Sequence, residues 1–173
     1  MSKKRDREAR KGKDAAGKAR RAAAKGATAA GPTPPLTREE LIDELNRDLA
    51  KEYSALIQYV QHAAVITGPQ YDAISAELVV HSNEEHLHAI SLSEQIDFLG
   101  GVPAVDVAAI GVSPSAKSML ELDLDGELDA IARYKARIAQ AEALREYGLR
   151  RALEDILIVE EEHARDLQSA LDR

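Results

Sequence analysis

One arrangement of acids and histidines occurs twice along this chain at the same spacing, and it constrains the fold more than any other feature. Glu52 stands 33 residues before Glu85, which opens Glu85-His86-Leu87-His88, and Glu127 stands 33 residues before Glu160, which opens Glu160-Glu161-Glu162-His163. Each half therefore offers a lone glutamate and a Glu-x-x-His. Residues three apart share a helix face, so each Glu-x-x-His aims one oxygen and one nitrogen ligand at the same point. If the chain between each lone glutamate and its Glu-x-x-His turns back as a helical hairpin, six side chains converge at one level of a four-helix bundle. That is the ligand set of a dinuclear carboxylate metal site. A single Glu-x-x-His arises by chance in many helical proteins as two surface residues; the repeat at an identical offset favours the metal reading.

The composition fits an all-α chain. Aromatic residues make up only 3%, and charged residues alternate with apolar ones at helical spacing. There is no cysteine, which excludes disulfides, thiolate zinc sites and iron–sulfur clusters, so redox chemistry would need metal held by other ligands. No apolar run is long enough to span a bilayer, and the N-terminus lacks the apolar segment of a secretory signal; a cytoplasmic protein without membrane contact is expected.

The net charge of −7 conceals a division: residues 1–36 carry a net of +8, residues 37–173 a net of −15. The first segment is Lys, Arg, Ala and Gly ending in Gly31-Pro32-Thr33-Pro34-Pro35, with too little apolar surface to offset the entropy of ordering. It reads as a disordered basic arm with a proline-rich joint. The folded domain, 37–173, opens on the capping-box pattern Thr37-Arg38-Glu39-Glu40. Four helical stretches are expected, roughly 37–67, 70–99, 114–147 and 149–172, with hairpin breaks at Gly68-Pro69 and near Tyr147-Gly148. Between the second and third lies a linker of about 14 residues, which extended reaches about 46 Å, against about 45 Å for a helix of about 30 residues. That length suits two antiparallel helical hairpins joined by one long crossover.

Four carboxylates and two divalent cations balance in charge, so the filled site is close to neutral inside the bundle. Carboxylate-rich ligation with two imidazoles suits iron or manganese better than zinc or copper, and iron is preferred.

The chain resembles a bacterioferritin-type member of the ferritin-like superfamily from about Leu45 to its C-terminus. The resemblance rests on Leu45-Asn46 through Glu52 to Gln58-Tyr59 and His62-Ala63, then Glu85 to His88-Ala89. It continues through Phe98-Leu99-Gly100-Gly101 with Pro103, Ile110-Gly111, Met119-Leu120, Asp123-Leu124 with Glu127, and Ile156-Leu157 to Glu160-Glu161 with His163. It implies a ferritin-like four-helix bundle in which Glu52 and Glu127 are terminal carboxylates, Glu85 and Glu160 bridge two irons, and His88 and His163 each ligate one. Tyr59 matches a tyrosine placed beside the site. The implied activity is ferroxidation, Fe²⁺ to Fe³⁺ with O₂ or H₂O₂, in iron storage, detoxification and protection against oxidative stress.

The chain departs from the family in two places. Bacterioferritins bind haem through a methionine at the position of His86, which makes His86 the candidate haem ligand, with a surface or interface histidine as the competing reading. Only ten residues follow His163, without the short fifth helix of 24-subunit shells, so a homo-oligomeric dimer or 12-subunit shell is expected instead. His62 and His81 read as satisfied polar side chains first and as transit ligands for iron second. The basic arm is similar in composition to the tails of DNA-binding mini-ferritins, so residues 3–25 are a candidate for non-specific DNA contact. Competing functions are another di-metal redox enzyme, such as a manganese catalase or a rubrerythrin-like peroxidase, and a nucleoid-protecting mini-ferritin.

Overall fold

The computed structural model describes residues 36–172; residues 1–35, all but the last residue of the expected basic arm and proline-rich joint at 1–36, lie outside the described residues. The described chain forms four long helices, α1 (Arg38–Val65), α2 (Asp72–Phe98), α3 (Ala116–Ala143) and α4 (Tyr147–Leu171), with a 3-10 turn at Pro69–Tyr71. No helix among them is long and apolar enough to cross a membrane.

Local chemistry sets the helix ends. The Thr37 hydroxyl accepts from the Glu40 amide at 3.1 Å, and the Glu40 carboxylate accepts from the Thr37 amide at 2.8 Å. This is the capping box written in the sequence, and it satisfies two otherwise unpaired donors. Helix α2 stops at Gly100, whose φ of 88° suits a residue without Cβ. There Gly100 donates to the Asp97 carbonyl and Gly101 to that of Ile96, both at 2.9 Å, in a Schellman-type end. Helix α3 ends the same way, with Arg145 donating to Glu142 at 3.0 Å and Glu146 to Ala141 at 2.9 Å, but the left-handed residue is Arg145, at φ 62°. The second hairpin therefore turns at 144–146 and Gly148 lies within α4, not at the expected break. The physical reason is that a non-glycine residue occupies the position that a glycine usually marks.

Cross-helix pairs give the topology. Helices α1 and α3 run antiparallel, since His62 meets Asp123 near one end and Asp48 meets Arg137 near the other. Helices α2 and α4 are likewise antiparallel, Glu84 meeting His163 and His81 facing Asp166. The segment between α2 and α3 runs along α1: Ala104 N–H donates to Asn46 Oδ1 at 2.7 Å, Ala108 to the Ala50 carbonyl at 2.9 Å and Gly111 to Gln58 Oε1 at 2.7 Å. It crosses most of the bundle, so the fold is the expected pair of hairpins joined by a long crossover.

The interior divides into two apolar clusters. Leu41, Leu45, Leu49, Leu92, Ile96, Tyr134 and Leu153 fill one part, and Tyr59, Ile74, Leu78, Leu120 and Leu167 fill the other. Along α1 the buried stripe runs Leu41, Leu45, Leu49 and then changes character to Glu52, Tyr59 and His62. Apolar burial on either side of this polar layer supplies the driving force that holds charged groups in the interior.

Candidate metal centre

The polar layer brings together Glu52 from α1, Glu85 and His88 from α2, Glu127 from α3, and Glu160 and His163 from α4. Each is at most 5% exposed. Their donor atoms form two overlapping groups, Glu52/Glu85/His88/Glu160 and Glu85/Glu127/Glu160/His163, and within each group the atoms lie within 4.8 Å of one another. Glu85 and Glu160 belong to both groups, while each lone glutamate and each histidine belongs to one. Both imidazoles turn Nδ1 inward: His88 Nδ1 lies 3.2 Å from oxygens of Glu85 and Glu160 and 3.5 Å from Glu52, and His163 Nδ1 lies 3.2 Å from Glu85 and 3.5 Å from Glu127.

Buried polar atoms are nearly always hydrogen-bonded, yet here Glu85 Oε1, both carboxylate oxygens of Glu160 and His163 Nδ1 have no hydrogen-bond partner among the described residues. Unpartnered carboxylate oxygens and an imidazole nitrogen gathered in one place suit a cation, and hard carboxylates with two imidazoles suit iron or manganese. The residues present therefore fit a pair of divalent ions.

Without metal, protons balance the cluster's charge. Burial works against a charged His88, but the carboxylates of Glu160, Glu52 and Glu85 hold its proton and push its pKa up to about 12. His163 is raised in the same way, burial being outweighed by Glu127, Glu160 and Glu85. For Glu85, too, burial would raise the pKa, but the imidazoles of His163 and His88 beside it outweigh burial and hold it below the usual carboxylate range. Burial and the negative charges of Glu160 and Glu85 push Glu52 well up; burial also pushes up Glu127, against the nearby His163 imidazole.

Tyr59, expected beside the site, lies there, and Glu84, Arg133 and Arg137 are groups that the sequence reading did not single out. The Tyr59 hydroxyl donates to Glu127 Oε1, and burial followed by the Glu127 charge keeps it protonated by raising its pKa. Glu84 pairs with His163 Nε2 at 2.8 Å, behind the nitrogen that faces the cluster. Arg133 approaches Glu52 at 3.7 Å and pairs with the fully buried Asp48 at 2.8 Å, as does Arg137. Glu84 had no signal beyond its place beside Glu85, and the two arginines are ordinary helix-surface charges until α3 is laid against α1. A cavity of about 280 Å³ between α1 and α3 reaches the layer, lined by Glu52, Gln58, Glu85, Asp123, Glu127 and Arg133 among others.

His62 is a partnered polar side chain, its Nδ1 2.8 Å from Asp123. His81 departs from that expectation: it is buried, and neither ring nitrogen has a hydrogen-bond partner among the described residues. His86 is exposed on another face of α2 and takes no part in the cluster.

A four-helix bundle with one long crossover and a layer of four glutamates and two histidines defines a class of protein, and comparison with known proteins agrees. The Ferritin family, described as a ferritin-like domain, matches residues 42–173. The chain belongs to the ferritin-like family. It is 31% identical to a bacterioferritin of Brucella melitensis over 134 residues, covering 77% of this chain and 83% of that one. It is 32% identical to a nutrient stress-induced DNA-binding protein of Nostoc over 131 residues, covering 69% and 71%. Among solved structures it is similar to a ferritin-like, diiron-carboxylate protein from Bacillus anthracis, with TM-score 0.75, 34% identity, and 78% and 96% of the two chains covered. It is also similar to a dodecameric thioferritin, the bacterioferritin-related protein of Bacteroides fragilis, with TM-score 0.74, 30% identity, and 80% and 88% covered. At the level of the family, these findings support iron storage.

Proposed function

We propose that the protein is a ferroxidase that oxidises Fe²⁺ to Fe³⁺ with O₂ or H₂O₂. The observation that carries this reading is the pair of overlapping donor groups that share Glu85 and Glu160. In this reading Glu52 and His88 hold one ion, Glu127 and His163 hold the other, and Glu85 and Glu160 bridge them. Bound there, the two substrate ions supply one electron each, and with two protons these reduce O₂ to H₂O₂, or H₂O₂ to two waters.

The chain's own part is positioning and charge control. Four carboxylates offset the charge of two divalent ions in an interior that tolerates no uncompensated charge. Tyr59 orients the Glu127 carboxylate by its hydrogen bond. Glu84, by accepting the proton on His163 Nε2, leaves the Nδ1 lone pair free for metal, the role that acidic partners of ligand histidines commonly play. Arg133 stands beside Glu52 and moderates its charge. The cavity between α1 and α3 gives ions and oxidant a way in.

Anaerobic titration should bind two Fe²⁺ per chain, and admitting oxidant should oxidise both. Stoichiometry near one, or oxidation no faster than in buffer, would sink the assignment. Manganese in the purified protein together with O₂ release from peroxide would favour the manganese-catalase reading. A dodecameric shell is the proposed assembly, supported by the dodecameric Bacteroides relative. A second reading, non-specific DNA contact through the basic arm, is supported by its net charge of +8 and by the similarity to the Nostoc DNA-binding protein. Deleting residues 1–36 should abolish any shift of duplex DNA at low salt and leave iron oxidation intact. If the full-length protein shows no shift there, that reading fails.

A further inference from the structure

Among the described residues outside the six-residue layer, one group of side chains able to hold a metal ion has no role in the reading above. Glu77 and His81 lie one helical turn apart on α2, and Asp166 faces them from α4. His81 Nε2 is 3.7 Å from Asp166 Oδ2 and 4.0 Å from Glu77 Oε1, and donor atoms of all three lie within 4.8 Å of one another. The carboxylates are about half exposed, 46% and 51%, whereas the imidazole is 1% exposed.

The buried imidazole makes this more than a cluster of surface acids. Neither nitrogen of His81 has a hydrogen-bond partner among the described residues, and both carboxylate distances are too long for one. Leaving such a group unpaired costs free energy, and its presence calls for an explanation. Two donors on one ion at about 2.1 Å each can be no more than about 4.2 Å apart, so both distances from His81 fit a shared ion with little movement. Exposed carboxylate ends can make up the remainder.

Position adds to the case. Along α2 the ligand types run Glu77, His81, Glu85 at steps of four, and along α4 they run Glu160, His163, Asp166 at steps of three, so two stripes lead from the surface to the buried layer. His81 stacks on His163, with ring centroids 4.0 Å apart and an interplanar angle of 25°. Glu84, partner of His163, stands on the same side.

We infer that Glu77, His81 and Asp166 form a third divalent-cation site, a way-station between solvent and the His163 side of the buried layer. Its use as a way-station rests on the ferroxidase reading; its capacity to bind a cation does not. Two carboxylates and one imidazole suit Fe²⁺, Mn²⁺ or Zn²⁺, with water completing the shell. Their mixture of exposed and buried donors lets an ion arrive hydrated and exchange.

Redox-inert Zn²⁺ tests the site in the full-length protein. Equilibrium dialysis should give three ions per chain, and zinc anomalous scattering from crystals should place the third between Glu77, His81 and Asp166. The double variant Glu77→Gln/Asp166→Asn changes only exposed ends and should fold normally. It should weaken the third ion at least tenfold while retaining the two in the layer, and His81→Gln should weaken it as much. The double variant should also slow Fe²⁺ uptake severalfold when iron is limiting. Anomalous peaks confined to the six-residue layer, or a third peak undiminished in the double variant, would overturn the inference and leave the ferroxidase reading standing. An empty layer with the third peak present would do the reverse.

Discussion

The two helical hairpins present the same three side chains, two glutamates and a histidine, at the same spacing, yet the structure surrounds them differently. The first, α1 with α2, offers Glu52, Glu85 and His88; Glu52 faces Arg133, and His88 Nδ1 meets only carboxylates of the layer. The second, α3 with α4, offers Glu127, Glu160 and His163. There Glu127 takes a hydrogen bond from Tyr59, and His163 is braced by Glu84 and stacked on His81. Every one of those three braces comes from the first hairpin. A duplicated motif thus repeats its donor side chains without repeating their support, because support is supplied across the bundle.

The sharpest way to break the comparison is to remove one terminal ligand from each side. Glu52→Ala and Glu127→Ala should each cut iron oxidation at least about a hundredfold, as severely as His163→Ala, since loss of a ligand should exceed the roughly 10–100-fold cost of losing a ligand's partner. Stopped-flow oxidation rates check this, and a Glu127→Ala variant at the normal rate would show that the lone glutamates are not ligands.

Acid should act on both hairpins alike. His88, with its pKa pushed up to about 12, and His163, raised likewise, carry protons in the metal-free protein at neutral pH, and Nδ1 must lose its proton before it can bind metal. Lower pH strengthens the competing proton, so metal affinity falls as pH falls, by about tenfold per unit for each proton displaced. Calorimetry in buffers of different ionisation enthalpy should count about one proton fewer for His88→Gln than for the native chain; an unchanged count would refute the protonation assignment.

Support predicts a smaller asymmetry. Glu84→Gln should lower metal affinity about tenfold by loosening His163, because outer partners of ligand histidines are worth roughly 10–100-fold. His88 has no such partner among the described residues, so the loss should be confined to the ion on the His163 side, which metal-site spectroscopy can resolve. Equal weakening of both ions would remove the distinction between the hairpins.

The smallest effect concerns helix ends. Gly100 and Arg145 occupy the same left-handed position after α2 and α3, and a Cβ at Gly100 would meet nothing within 4 Å, so only backbone preference is at stake. Gly100→Ala should cost about 1 kcal/mol and Arg145→Gly should stabilise by about the same or less. Chemical denaturation of metal-free protein measures both, and a destabilising Arg145→Gly would show that its side chain contributes more than its backbone conformation costs.

Much of the architecture was legible in the sequence because it rests on local rules. Helical periodicity, the Thr37–Glu40 capping box, Gly100 after α2 and a linker as long as a helix together specify two hairpins and a crossover. The 33-residue offset specifies which six residues meet, since equal distances from a hairpin's turn place its ligands at one level. The misplaced turn near Gly148 shows the limit of those rules, because Arg145 adopts a conformation that its identity does not announce. Tertiary structure alone decided the rest. Whether Glu84 braces His163, whether Arg133 reaches Glu52, and whether His81 finds a partner depend on how one helix is rotated against another, and residues far apart in sequence carry no local signal of that contact. The chain by itself determined which donor side chains it has and at what height they stand. Only packing between the hairpins determined how each is held, because every supporting group reaches its target across a helix interface.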